Sequence, residues 1–232
     1  MTNSTHSTIT HRWPNPRRED ATLIVVDEWR ANDLAHRTET LAEVMRTWRD
    51  DPWPNGVLSD SLFIGEDGHR ALRYALWSDE DSYRTAGSDR SPNAVEYTRY
   101  RDQAEPGETR TPGCLALPYL VFDTPDRQRL RDWVDTVFSA LELDAVTPDD
   151  NDDGGLGALF HVSLDGRRIL NYAEWVSPRH HDRFMGATGE DDGSAPDPAA
   201  VAAWRRVHEY PGIIESGVNR YDLYATAEPV SE

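Results

Sequence analysis

One stretch of eleven residues occurs twice in this chain. Asp67–Trp77 and Asp165–Trp175 align at a constant shift of 98 positions, with seven of the eleven identical: Asp, Gly, Arg, Leu, Tyr, Ala and Trp. A repeat of this kind restricts the fold to two copies of one supersecondary unit. Each copy opens on Asp-Gly between apolar runs, the pair that best tolerates the positive φ of a tight hairpin turn. Leu62-Phe63-Ile64 leads into the first turn and Leu159-Phe160-His161-Val162 into the second.

The flanking patterns match as well. Upstream of each hairpin, apolar residues recur at helical spacing: Leu34, Leu41, Val44, Met45 and Trp48 within Leu34–Trp48, and Leu130, Trp133, Val134, Val137 and Leu141 within Pro125–Leu143. Thr124-Pro125 gives the second helix a capping hydroxyl and a ring preset to helical φ. Apolar strands precede both helices, at Thr22–Trp29 and Leu115–Phe122. Short helices follow both hairpins, at Asp79–Thr85 and Pro178–Met185, and closing strands are expected at Tyr97–Asp102 and Asn219–Ala225. Each half therefore reads βαββαβ, a ferredoxin-like α+β unit: a four-stranded antiparallel sheet with both helices on one face. The bare sheet face needs a cover. Two tandem units can cover each other, packed sheet to sheet as an intrachain dimeric α+β barrel. The expected division is a flexible N-terminal segment 1–20, a first domain 21–103, a linker 104–112 rich in Pro and Gly, a second domain 113–227 and a tail 228–232.

Charge removes several functions. The net charge is −18 and every positive side chain is an arginine, with no lysine present. Nucleic acid and anionic membrane surfaces are poor partners for such a chain. Cys114 is the lone cysteine, so no internal disulfide or cysteine metal cage is expected. Residues 1–20 lack the apolar core of a secretory signal, and the apolar stretch Cys114–Phe122 is too short to span a bilayer. A soluble, cytoplasmic protein is expected. Asp144–Gly155, with five Asp residues, reads as a solvated loop without calcium-loop spacing, and Gly186–Pro198 as a mobile insertion suited to a lid.

No nucleotide fingerprint or metal-ligand spacing occurs; neighbours such as His180 and His181 point about 100° apart on a helix. The informative segment is the strand after each turn. Side chains alternate along a strand, so Asn171, Ala173 and Trp175 share one face: an amide and an indole N–H with a small residue between them. In the first half Arg73, Ala75 and Trp77 hold these places, and six residues beyond the tryptophans stand Tyr83 and His181. Plainer readings stay open. A repeated tryptophan also serves as packing, Asn171 could tie down a loop, and Tyr74 and Tyr172 suit a sheet core.

Asn171-Tyr172-Ala173-Glu174-Trp175 resembles the Asn-x-x-x-Trp motif of the antibiotic biosynthesis monooxygenase superfamily, and the likeness extends over Ala21–Ala227. The resemblance is to the two-domain form associated with aromatic (type II) polyketide pathways. It implies a cofactor-independent monooxygenase, with dioxygen as co-substrate, that oxidises a phenolic polyketide intermediate to a quinone. It implies catalytic roles for Asn171, Trp175 and His181, and substrate contacts for Trp77, Tyr83, Arg73 and His161. Arg73 departs from the motif, so the working pocket is expected in the second half. The partner is a small aromatic molecule, and a homodimer is compatible with the pattern. An aromatic polyketide cyclase of the same fold and a non-catalytic binding or assembly module are the alternatives.

Overall fold

In a computed structural model of the chain, residues 6–86, 91–104, 107–144, 154–187 and 197–230 are described. The first repeat runs β2 (Leu23–Arg30), α1 (Leu34–Asp50), β3 (Val57–Gly65), β4 (Arg70–Trp77), α2 (Glu80–Thr85) and β5 (Val95–Ala104), after a short strand β1 (Ser7–Thr10). The second repeat runs β6 (Cys114–Phe122), α3 (Arg127–Asp144), β7 (Gly155–Ser163), β8 (Arg168–Trp175), α4 (Pro178–Ala187), α5 (Pro198–His208) and β9 (Ile213–Pro229). Both Asp-Gly pairs form the expected turns, with Gly68 and Gly166 each at φ 72°.

Aspartates start the helices. Asp33 accepts from His36 N at 2.8 Å and Asp79 from Ser82 N at 2.7 Å, satisfying amides that a first turn leaves without partners. Asp126 does the same for α3, accepting from the amides of Gln128 and Arg129, so that helix begins two residues after the expected Thr124-Pro125 start.

The contacts divide the chain into Met1–Arg99 with Asn219–Glu232, and Tyr100–Val218. In the first unit the strands lie in the order β1-β9-β3-β4-β2-β5, and in the second β5-β7-β8-β6-β9. Each thus contains the ferredoxin-like order, in which the first and third strands of the repeat are neighbours. The closing strands are longer than expected, and each contributes to both units. In the second unit, Tyr100 and Arg101 of β5 donate to Asp135 of α3 at 2.8 and 2.9 Å. In the first, Arg220 of β9 donates to Glu66 at 2.7 Å and β9 pairs with β3 from Asp60↔Ala227 onward. The division therefore falls at Arg99 and Val218, within strands. Residues 1–20, read from sequence as flexible, include β1, whose pairing with the C-terminal end of β9 begins at Ser7↔Pro229.

The helix-facing side of the second sheet carries a core. Leu130, Trp133, Val134 and Val137 of α3 pack on Phe122, Phe160, Val162 and Ile169, and α5 adds Ala203 and Val207. Burying each large side chain contributes about 1.5–3 kcal/mol. Trp133 Nε1 also donates to Val207 O at 3.1 Å, tying α5 to α3. In the first unit, Leu41 and Trp48 of α1 are buried.

Candidate functional site

Register builds the site in the second unit. Ala173 on β8 pairs with Ala116 on β6 and with Ala158 on β7, so three alanines lie in a row across three strands. Asn171 and Trp175 stand two residues before and after Ala173, on the same face by the two-residue period. Their Cα atoms are about 13 Å apart at strand rise. The alanines end at Cβ, so the row is a low stretch, here called the trough, buried in one apolar cluster with Cys114 and Trp175 and bounded by an amide at one end and an indole at the other.

Two polar atoms of this trough are shielded from solvent and have no hydrogen-bond partner among the described residues: Asn171 Oδ1 and Trp175 Nε1. One is an acceptor and the other a donor. An unmet buried polar atom costs about 1–3 kcal/mol, so a native structure that holds two facing one trough needs an explanation. α4 completes the indole end. The His181 ring meets Trp175 edge-on at 5.2 Å and 71°, and Phe184 lies at 5.2 Å on the same indole. At the amide end, Asn171 pairs with Phe160, whose ring contacts Phe138 at 5.6 Å.

A glycine sets where α4 lies. Gly154 sits at φ +75°, and a Cβ there would come within 2.4 Å of the His180 ring. Gly154 O accepts from Val176 N at 2.9 Å, and Ser177 Oγ is 2.8 Å from His180 Nδ1. The first repeat has the same joint, with Gly56 at φ +86° against Ser82.

The equivalent trough of the first unit is filled. Its row is Val25–Ala75–Asp60. Asp60 accepts from Arg73 Nε at 2.9 Å and Nη2 at 2.5 Å, and from Trp48 Nε1 at 2.8 Å. The Asp60 carboxylate is the main influence that raises the Arg73 guanidinium above its ordinary value. The Trp77 and Tyr83 rings meet edge-on at 5.1 Å, matching the Trp175–His181 contact. The structure thus brings Asn171, Trp175 and His181 together in one unit, and Arg73, Trp77 and Tyr83 around a self-paired cluster in the other.

His161 requires correction as a contact at the same site. It pairs with Leu170, so it shares the sheet face of Leu159 and Tyr172, opposite that of Asn171. It is fully buried, with Nδ1 3.3 Å from Leu170 O. Odd and even positions of a strand cannot serve one pocket. Sequence reasoning missed Asp60, Ala116, Ala158 and Phe184. The shift of 98 that aligns the hairpins also sets Asp60 against Ala158, and this contrast was the available signal. Most of the acidic loop 144–155 and of the insertion 186–198 lies outside the described residues.

No family model matches the chain, and no curated protein matches it. Solved structures do. A protein described as anthrone oxidase-like superposes with a TM-score of 0.67 at 18% identity, over 92% of this chain and 95% of its own. A candidate monooxygenase from Fusobacterium nucleatum subsp. nucleatum gives 0.53 at 8% identity, over 93% and 100%. A Listeria monocytogenes ferredoxin-fold protein related to antibiotic biosynthesis monooxygenases gives 0.46 at 11%, over 88% and 95%. At such identities the first two likenesses establish the fold: an α+β protein with ferredoxin-like units. Among the described residues no helix is long and apolar enough to cross a membrane, and no group of three or more His, Cys, Asp or Glu side chains is placed to hold a metal.

Proposed function

We propose that the second repeat binds a neutral hydroxyaromatic molecule over its alanine row, and that the chain is a cofactor-independent monooxygenase converting it to a quinone with dioxygen. The observation that carries this reading is the pair of buried atoms without partners, Asn171 Oδ1 and Trp175 Nε1, at the two ends of one trough. A fused-ring phenol supplies what each lacks, a hydroxyl to donate to the amide oxygen and an oxygen to accept from the indole. A flat ring system also suits a floor of alanines between aromatic walls. The likeness in fold to a protein described as anthrone oxidase-like adds support.

In the proposed reaction the phenol loses its proton to His181 or to water. The anion passes one electron to dioxygen, and the radical pair joins through a new C–O bond. The resulting peroxide loses water to leave a carbonyl, so one oxygen atom enters the quinone and the other leaves as water. The Trp175 N–H donates to the oxygen on which negative charge grows, and Asn171 fixes the ring's orientation. Both are preorganised contributions. An aromatic polyketide pathway, a cytoplasmic location, the sheet-to-sheet barrel and self-association as a homodimer belong to the same proposal.

Oxygen uptake tests it. Purified protein given a hydroxyanthrone should consume one dioxygen per quinone formed, followed with an oxygen electrode and by quinone absorbance. Asn171→Ala should slow turnover about 10- to 150-fold. Conversion of a bound hydroxyaromatic without oxygen uptake would show that the reaction is not oxygenation.

A further inference from the structure

The first repeat holds a second pair of polar atoms without partners. β2 carries Asp27 and Trp29 two residues apart on one face, about 7 Å along the strand. The register sets Asp27 opposite Arg73 and Trp29 opposite Ala71. Asp27 Oδ1 and Trp29 Nε1 are both shielded from solvent, and neither has a hydrogen-bond partner among the described residues. Arg73 does not resolve the problem, because its Nε and Nη2 are turned to Asp60. Burial is the main influence raising the Asp27 carboxyl above its ordinary value, with a side-chain hydrogen bond from Ser91 to the carboxyl and the charge of Arg73 acting against it, so the unmet capacity is that of Oδ1 alone.

The pair is not a by-product of the repeated design. Following the β6 register, Pro118 and Leu120 occupy the positions that match Asp27 and Trp29. Neither has a polar side chain. The second repeat thus lacks the feature, just as the first lacks the open alanine row. One unit has filled the trough between strands β3 and β4 and carries polar side chains along β2.

The chemistry of the two atoms defines what fits. Asp27 Oδ1 needs a donor and Trp29 Nε1 needs an acceptor. An ammonium group would meet the carboxylate but leave the indole without an acceptor, and it would face Arg73. An anion would meet the indole but face Asp27, with Asp60 close by on Arg73. A neutral group with a donor and an acceptor on one edge meets both, and the Trp29 indole offers such a molecule a flat wall. We infer that Asp27 and Trp29 form a binding site for a neutral aromatic carrying a carboxamide or hydroxycarbonyl edge. Its N–H or O–H donates to Asp27 and its carbonyl oxygen accepts from Trp29. This site is independent of the reaction proposed for the second repeat.

Benzamide and benzoate separate the alternatives. The full chain has eight tryptophans, and Trp29→Phe identifies the Trp29 indole N–H signal in a nitrogen-15 correlation spectrum. Titration with benzamide at neutral pH should move that signal to saturation, and benzoate should leave it in place. Asp27→Ala should weaken benzamide at least about tenfold. If that variant fails to fold, Trp29→Phe read by saturation transfer to the ligand must show the same loss. The inference is overturned if benzamide does not move the Trp29 signal, if benzoate moves it equally, or if both variants bind benzamide like the parent. A crystal grown with benzamide that shows only water between the two atoms overturns it as well.

Discussion

Trp175→Phe should lower activity without lowering stability, an unusual combination for a buried tryptophan. Trp175 is 8% exposed and Trp133, in the same unit, is 7% exposed, so burial alone predicts similar losses for the two changes to Phe. Their N–H groups differ. Trp133 Nε1 donates to Val207 O, and removing it leaves a buried carbonyl without that donor, at about 1–3 kcal/mol. Trp175 Nε1 has no partner among the described residues, so its removal relieves a desolvation cost of similar size. Either change loses about 1 kcal/mol of apolar burial from the smaller ring. Trp133→Phe should therefore cost about 2–4 kcal/mol, and Trp175→Phe should fall between neutral and about 2 kcal/mol stabilising. At about 2–4 °C per kcal/mol in a chain of this size, thermal melts resolve the two. Turnover of a hydroxyanthrone should fall about 10- to 150-fold in Trp175→Phe, the effect of losing one well-placed donor. Melting points that fall equally in both variants, with the Trp175→Phe turnover unchanged, would refute the reasoning.

Two further outcomes test the supports. Asp60→Ala should cost about 2–3 kcal/mol, chiefly by depriving the Trp48 N–H of its acceptor, because the Arg73 side chain is 40% exposed and water can take over its half of the pair. Adding Arg73→Asn should recover at most about 1 kcal/mol in denaturant titrations, and full recovery would show that the ion pair, not the indole, is the anchor. Gly154→Ala should melt well below Gly68→Ala, although the two sit at φ +75° and +72°, because the added Cβ meets the His180 ring at 2.4 Å in one case and nothing nearer than 3.8 Å in the other. Both bear a left-handed strain of about 1–2 kcal/mol, so equal melting points would mean that the His180 contact does not hold α4.

Much of the candidate site could be read in advance. Asn171, Trp175 and His181 are legible as candidates because a strand's period and one following helix place them, and both are local rules. The sequence leaves the face of His161 open, since nearness to the hairpin says nothing about which face a strand residue takes. The strand-by-strand register decides it, through the pairing of His161 with Leu170. The helical stripe of α5, Ala200, Ala203 and Val207, is mostly small residues, too weak a signal on its own.

The repeat, the Asp-Gly turns and the helix stripes settle that each half is a βαββαβ unit, because local backbone preference and side-chain periodicity act within a few residues. What the trough contains is settled by strands far apart in the chain. Ala116 and Ala158 come to Ala173 from 57 and 15 residues away, and Asp60 reaches Arg73 from 13 residues away. Whether Asn171 Oδ1 and Trp175 Nε1 find partners depends on which side chains surround them after folding. The same holds for β5 and β9, whose residues divide between the two units at Arg99 and Val218, a long-range matter that no local pattern encodes.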